Sequence, residues 1–240
     1  GVLEGAERVF GLHTAYDLEA GTVGLKPGIN NAAVDHFRIR VHGKSTHVST
    51  PHLGVDALYI ASQIVVAVQG LVTRRTSPTE PVIIGIGKLN AGTTYNAVAA
   101  FAEMEGTTRT ISQESRDRVR AQVSETAQSI AALYGGTAEV EWTDFAAALV
   151  NDPQVCEEAA RVVDELLGAG HVVTDRELSL SGDNFAEFEL YKPGAYAYLG
   201  TGNPDLPHTM ITNHNGGFDV DENALVTGAG LYVGYTVARL

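Results

Sequence analysis

Polar and apolar residues alternate without a break over His36–His42, with Phe37, Ile39 and Val41 on one face and imidazole or guanidinium groups on the other. That is the pattern of a half-buried strand. Over residues 54–74 the period changes. Leu58, Ala61, Ile64, Val65, Val68, Leu71 and Val72 recur at three- and four-residue spacings, which predicts an amphipathic helix. Two more strands are predicted over Pro81–Leu89 and Asn96–Arg109, joined as a hairpin by the turn residues Asn90-Ala91-Gly92. A second helix is predicted from Gln113 to Tyr134, with Val119, Val123, Ala127 and Ile130 on one stripe. Gly135-Gly136 then supplies a left-handed stop. Alternation returns at Glu139–Thr143. The order β-α-β-β-α-β is that of a ferredoxin-like split unit.

The flanks have another character. A short buried strand, Arg8–His13, leads into a connection containing Gly21, Gly24, Pro27 and Gly28. Beyond the central unit come an Ala- and Val-rich helix (about 153–168), a buried strand at Ala195–Leu199, a Gly/Pro/Asn-rich loop with His208 and His214, and a last helix from about Glu222 to Ala238. These pieces suit an α/β sheet covered by helices but supply too few strands to close it. The chain is therefore read as α/β, with residues 1–30 and 148–240 forming part of one domain and 31–147 inserted as a second.

Charge narrows the partners. At −13, with basic residues scattered, the chain lacks the clustered cations that nucleic acid or an anionic membrane requires. Arg74-Arg75 and the series Arg116, Arg118, Arg120 read as a helix end and a solvated helix face. The single Cys156 excludes an internal disulfide and reads as a buried helix position. No signal peptide is evident and no stretch approaches the length of a membrane span, so a cytoplasmic location is expected.

Among eight histidines, two stand out. His13 is expected to end a buried strand just before a loop, where open α/β sheets place ligands. His214 sits in a loop just before an element start. For each, the alternative is a surface or hydrogen-bonded core imidazole.

The motifs around them resemble one metalloenzyme family. Gly11-Leu12-His13 with Gly21-Thr-Val-Gly24 is similar to its Gly-(Leu/Met)-His segment and following turn. Gly43-Lys-Ser-Thr-His47 and Pro51-His52-Leu-Gly54-Val-Asp56 match its Gly-Lys-x-x-His and Pro-His-x-Gly-x-Asp pieces. Gly92-Thr-Thr-Tyr-Asn96, Glu105-Gly-Thr-Thr-Arg109 and His214 through Phe218-Asp-Val-Asp-Glu222 match three more, in order, across essentially all 240 residues. The family comprises the hippurate hydrolases, N-acyl-amino-acid amidohydrolases and auxin-conjugate hydrolases, related to aminoacylase and carboxypeptidase G.

The resemblance implies a zinc-peptidase-like catalytic domain with an inserted ferredoxin-like dimerisation (lid) domain. It also implies two divalent metals per complete site, usually zinc, and a water activated by a Glu general base to attack an amide. Carried over, His13 and His214 would be metal ligands, and His47 would reach the neighbouring subunit's site to polarise the carbonyl oxygen. Asn96 and Arg109 would hold the carboxylate of an N-acyl amino acid or peptide substrate. The alternatives are a turn for Asn96, a solvated loop for His47, and for Arg109 an ion pair with Glu103 or Glu105.

Two departures bear on activity. The family's first metal segment and its Glu-Glu pair lie upstream of the point where this sequence begins, so the chain is expected to be an incomplete portion, inactive alone. Its Ser-Glu-Asp-Phe stands here as Ser181-Gly-Asp-Asn-Phe185. A competing reading is a non-catalytic dimerising module derived from the family. A ferredoxin-like ligand-binding domain unrelated to hydrolases ranks last, since it leaves the flanking histidine segments unexplained.

Overall fold

The structure is a computed structural model that describes residues 1–238. Its strands are β1 (Val9–Glu19), β2 (Val23–Gly24), β3 (Gly28–Asn31), β4 (Ala33–His42), β5 (Ile83–Ala91), β6 (Phe101–Thr110), β7 (Thr137–Ala146), β8 (Leu149–Asn151), β9 (Val172–Val173) and β10 (Gly194–Gly202). Its helices are α1 (Ala57–Arg75), α2 (Gln113–Leu133), α3 (Pro153–Leu167), α4 (Ala186–Glu189) and α5 (Asn223–Val237). Two compact units result: Ala32–Ala148 with Leu180–Gly182, and the flanking segments Gly1–Asn31, Leu149–Ser179 and Asp183 onward.

In the inserted unit an antiparallel sheet runs β5-β6-β4-β7, so the first and third strands of the β-α-β-β-α-β order lie at its centre. Phe37, Ile39 and Val41 of β4 are fully buried beneath α1 and α2, as their alternation requires. Asp56 caps α1 through the Leu58 and Tyr59 amides. Ser112 caps α2 through the Ser115 amide. Gly135, at φ 79°, closes α2 in a Schellman arrangement, with Gly136 N–H on the Ala131 carbonyl at 2.8 Å and Gly135 N–H on Ala132 at 3.0 Å.

Two expectations change here. Arg116 does not face solvent: it is 6% exposed and forks onto Asp35, 1% exposed, through bonds of 2.6 to 3.1 Å. This buried pair ties α2 to the central strand. In addition α1, at 19 residues, is long and apolar enough by length and composition to cross a membrane, contrary to the sequence reading. Its Ile60, Ala61, Ile64, Val68 and Leu71 pack into the core of this unit instead.

The hairpin also differs. The strand expected to start at Asn96 starts at Phe101, and residues 92–100 form a loop. Val98 and Ala99 are buried, but Val98 N–H bonds the Thr46 carbonyl at 2.8 Å. The segment thus pairs with the His47 loop, not across the hairpin.

In the flanking unit the sheet order is β1-β10-β2-β9, with β1 parallel to β10. A two-stranded ladder joins β3 and β8. Ala195, Ala197 and Leu199 of β10 face α3 and α5 and, with Val155, Val163 and Leu231, form the core. The opposite face of β1 and β10 carries Gly11, His13, Tyr196 and Tyr198.

Candidate active site

His13 lies within β1, opposite Tyr198, and not at the strand's end as expected, because β1 continues to Glu19. Its ring stands about equally far from two others, with centroids 6.1 Å from Tyr196 and 6.0 Å from Tyr198. Gly11, one step back on the same face, is needed there. A Cβ would fall 2.8 Å from the Phe185 ring and 3.0 Å from that of Tyr196. His13 Nδ1 stands 2.7 Å from the Thr14 carbonyl. A carbonyl only accepts, so Nδ1 carries a proton, and in the neutral ring Nε2 carries the lone pair. The Asn213 amide nitrogen, 3.5 Å from the same Nδ1, has a better acceptor in the Thr14 carbonyl at 3.3 Å and leaves that assignment in place.

The aromatic neighbours are fixed by polar partners that sequence reasoning missed. Tyr196 donates to Asp183 Oδ2 at 2.6 Å and Tyr198 to Asn31 Oδ1 at 2.6 Å. Burial, reinforced by the Asp183 carboxylate, holds the Tyr196 phenol far above its ordinary range. Burial also raises Tyr198. Both stay protonated donors at neutral pH. Asp183 belongs to the Ser181–Phe185 segment, whose departure from the family motif was the only signal for it.

His214 is exposed and adopts φ 62°, the single positive-φ residue other than glycine among the described residues. Its loop is closed at the base, where Asn203 donates to Asp221 Oδ2 at 2.7 Å and Asp221 N–H bonds the Thr201 carbonyl at 2.9 Å. The Asn203 bond, with help from Asn223, lowers the Asp221 pKa and keeps it ionised. Through Asn213 the loop is tied to the strand carrying His13. Among the described residues no group of three or more His, Cys, Asp or Glu could hold a metal ion. His13 fits a metal by its tautomer, yet the two imidazoles fall short of a complete coordination set.

In the inserted unit the structure brings His47 and Asn96 together. His47 bridges to Ala97, and Val48 N–H bonds the Asn96 carbonyl at 3.1 Å. His47 Nδ1 meets the Ser49 amide at 3.2 Å and the Ser49 hydroxyl at 2.7 Å. Asn96 Oδ1 accepts from Thr94 at 3.1 Å. Beside this loop a cavity of about 220 Å³ is lined by Asp56, Gly92, Thr93, Thr94, Ala97 and Ala99, among others.

Arg109 stands elsewhere, near the far end of β6, which spans on the order of 30 Å. It pairs in register with Val34 and Ile83. One chain therefore does not bring Asn96 and Arg109 onto one carboxylate. Nor does Arg109 make the ion pair weighed as its alternative. Glu103 engages Arg38 and Arg40, and Glu105 engages His36, Arg38 and Lys88. Arg109 Nη1 is enclosed with no hydrogen-bond partner among the described residues, and burial lowers the guanidinium pKa. The guanidinium is partly buried, and its enclosed Nη1 is a donor that an added acceptor would satisfy.

Cys156 is buried, its thiol pushed up to about 12 by burial, and is inert as a nucleophile at neutral pH.

A peptidase dimerisation domain model, M20_dimer, matches residues 32–134. The chain is 35% identical to the N-acetyl-L-cysteine deacetylase of Bacillus subtilis over 94% of its own length and 52% of that protein's. It is 34% identical to thermostable carboxypeptidase 1 of Saccharolobus solfataricus, over 95% of this chain and 57% of the relative. The solved structure of the Bacillus subtilis YXEP protein, a dinuclear metal-binding peptidase from the M20 family, superposes with a TM-score of 0.81 at 30% identity, covering 100% of this chain and 59% of that one. The chain thus spans little more than half the length of these relatives.

Proposed function

The chain belongs to the M20 family of metal-dependent amidohydrolases and peptidases, and on that premise we propose that it serves a homodimeric hydrolase of amide bonds in N-acyl amino acids or small peptides. The observation that carries the reading is the His13 tautomer: with Nδ1–H bound to a backbone carbonyl, Nε2 is left as a neutral metal-ligating nitrogen. His13 and His214 would each give one nitrogen to a divalent metal, zinc being the metal this donor type favours. Such a metal, when bound, supplies Lewis-acid polarisation and a water of lowered pKa. His47 donates from Nε2–H to the carbonyl oxygen as negative charge develops there. Arg109 takes the substrate carboxylate on its paired donors, and Asn96 adds an amide donor.

The separation of Asn96 from Arg109 supports sites shared between two chains. The β7 edge carries Glu139, Glu141 and Asp144, so two copies meeting there would oppose like charges. The β5 edge bears Gly85, Gly87 and one cation, Lys88, with Ile83 and Leu89 exposed. Pairing two β5 strands antiparallel about a two-fold axis sets the His47–Asn96 end of one copy beside the Arg109 end of the other and removes an open edge.

The test is complementation in the complete enzyme. His47→Ala should lower kcat by about 10²–10³ with little change in KM. Arg109→Ala should raise KM for substrates with a free carboxylate. Heterodimers of the two variants should regain up to half of parental activity, since one of their two sites is intact. No recovery in verified heterodimers would sink the shared-site reading.

A further inference from the structure

We propose that Ser49 is a positioning residue that sets the tautomer of His47, so that in the neutral ring the proton resides on Nε2. The inference rests on the reading of His47 as a donor to the substrate oxygen, but its geometry stands separately. Two bonds converge on Nδ1, from the Ser49 backbone N–H at 3.2 Å and the Ser49 hydroxyl at 2.7 Å. The hydroxyl can donate or accept, whereas the backbone N–H can only donate. Nδ1 must therefore present its lone pair, and the hydroxyl turns its proton the same way. The proton of the neutral ring is left at Nε2.

The backbone around the pair is held so that this convergence persists. Thr50 N–H bonds the His47 carbonyl at 2.9 Å, closing a turn that aims the Ser49 amide back at the ring. On the other side His47 bridges to Ala97, with Val48 N–H on the Asn96 carbonyl at 3.1 Å. An imidazole free in solvent exchanges between its two neutral forms, and one of them would offer a lone pair to an oxygen that is gaining negative charge. Locking the ring spares the site that unproductive form. His13 is held the opposite way, Nδ1–H bound and Nε2 bare. Each imidazole thus carries the tautomer its proposed role needs.

The experiment uses the 240-residue chain labelled with ¹⁵N-histidine. Two-bond ¹H–¹⁵N correlations at pH 8.5 distinguish protonated from bare ring nitrogens, and a His47→Gln variant assigns the signals. His47 should show a bare Nδ1 and a protonated Nε2. Ser49→Ala deletes the hydroxyl but keeps the amide, and should move the tautomer ratio about fivefold toward Nδ1–H, the effect of losing one ordinary hydrogen bond. Ser49→Thr should restore it. A parental ring that is mixed or protonated at Nδ1 would overturn the proposal, as would a ratio unmoved in a Ser49→Ala chain whose backbone spectrum is otherwise native. In the complete enzyme Ser49→Ala should lower kcat and leave KM. A tautomer shift with no change in kcat would overturn the donor reading of His47 while the lock itself stood.

Discussion

Replacing Glu189 by glutamine should stabilise the flanking unit above neutral pH, and by less as the pH falls. Glu189 ends α4; its Oε2 accepts the Val150 N–H at 2.9 Å, and its Oε1 is enclosed with no partner among the described residues. Burial pushes the carboxyl up to about 7 from 4.5, against the smaller opposing effect of the Val150 bond. The folded chain thus holds this proton more tightly than the unfolded one. Its stabilising contribution is complete below about 4.5 and is lost as the pH rises through about 7. Full ionisation would cost on the order of 3 kcal/mol. Solvent screening of a partly exposed side chain reduces this to roughly 1–2 kcal/mol at pH 8. Glutamine keeps an acceptor for Val150 and cannot ionise. With an isoelectric point near 4.9 the chain is best compared at pH 5.5 and 8, where the advantage of the variant should widen by about 1 kcal/mol. Urea denaturation followed by circular dichroism, with amide exchange at Val150 as the local probe, reads it. An equal advantage at both pH values, or a Glu189 carboxyl that titrates near 4.5 by ¹³C NMR, would refute the reasoning.

Asp35→Asn should destabilise the inserted unit by about 3 kcal/mol, because it removes the buried carboxylate onto which the Arg116 guanidinium forks and leaves the exposed Asp144, at 3.7 Å, as the weaker ionic partner. Trp142, whose Nε1–H bonds Ser124 at 3.1 Å in the same unit, provides the fluorescence signal for the urea titration, and a loss below 1 kcal/mol would mean that water reaches the pair. By itself the chain should bind zinc only weakly and turn over no N-acetyl amino acid, since two histidine nitrogens fall short of the roughly three protein ligands that a catalytic zinc requires. Stoichiometric tight zinc by calorimetry together with turnover would overturn that expectation.

Periodicity made the inserted unit legible. The β4 alternation placed Phe37, Ile39 and Val41 inward, and all three are fully buried. The helix stripes were right in period and imperfect in phase. On α1 the buried set begins at Ala57 and Ile60, while Leu58 is exposed. On α2 the last buried turn is Ala131, one position beyond Ile130. A stripe read from sequence has no fixed edge, because residues at its margin are assigned by the helix's roll against the sheet. The hairpin formed, with β5 antiparallel to β6, but its second strand starts later than expected, for another reason. Residues 97–98 have extended partners, but those partners are Thr46 and His47, some fifty positions back, and alternation cannot name a partner.

The candidate site was legible in its residue types and hidden in its arrangement. The family resemblance set Asn96 and Arg109 together as carboxylate holders, thirteen positions apart along the chain. Strand geometry sets them apart, because a strand converts sequence distance into length at about 3.3 Å per residue. With β6 running between them, the two groups stand at opposite ends of one sheet, and the proposed pairing with a second copy turned end for end is what would bring them together. The histidines carry a similar lesson on a smaller scale. Thr14 follows His13 directly and Ser49 lies two residues beyond His47, so both partners were visible as neighbours. What decides the chemistry is which ring nitrogen each partner reaches, and that is set by a side-chain rotamer and the turn of one peptide. Composition could suggest that these imidazoles matter; only the geometry tells a nitrogen that can ligate a metal from one that can donate a proton to an oxygen.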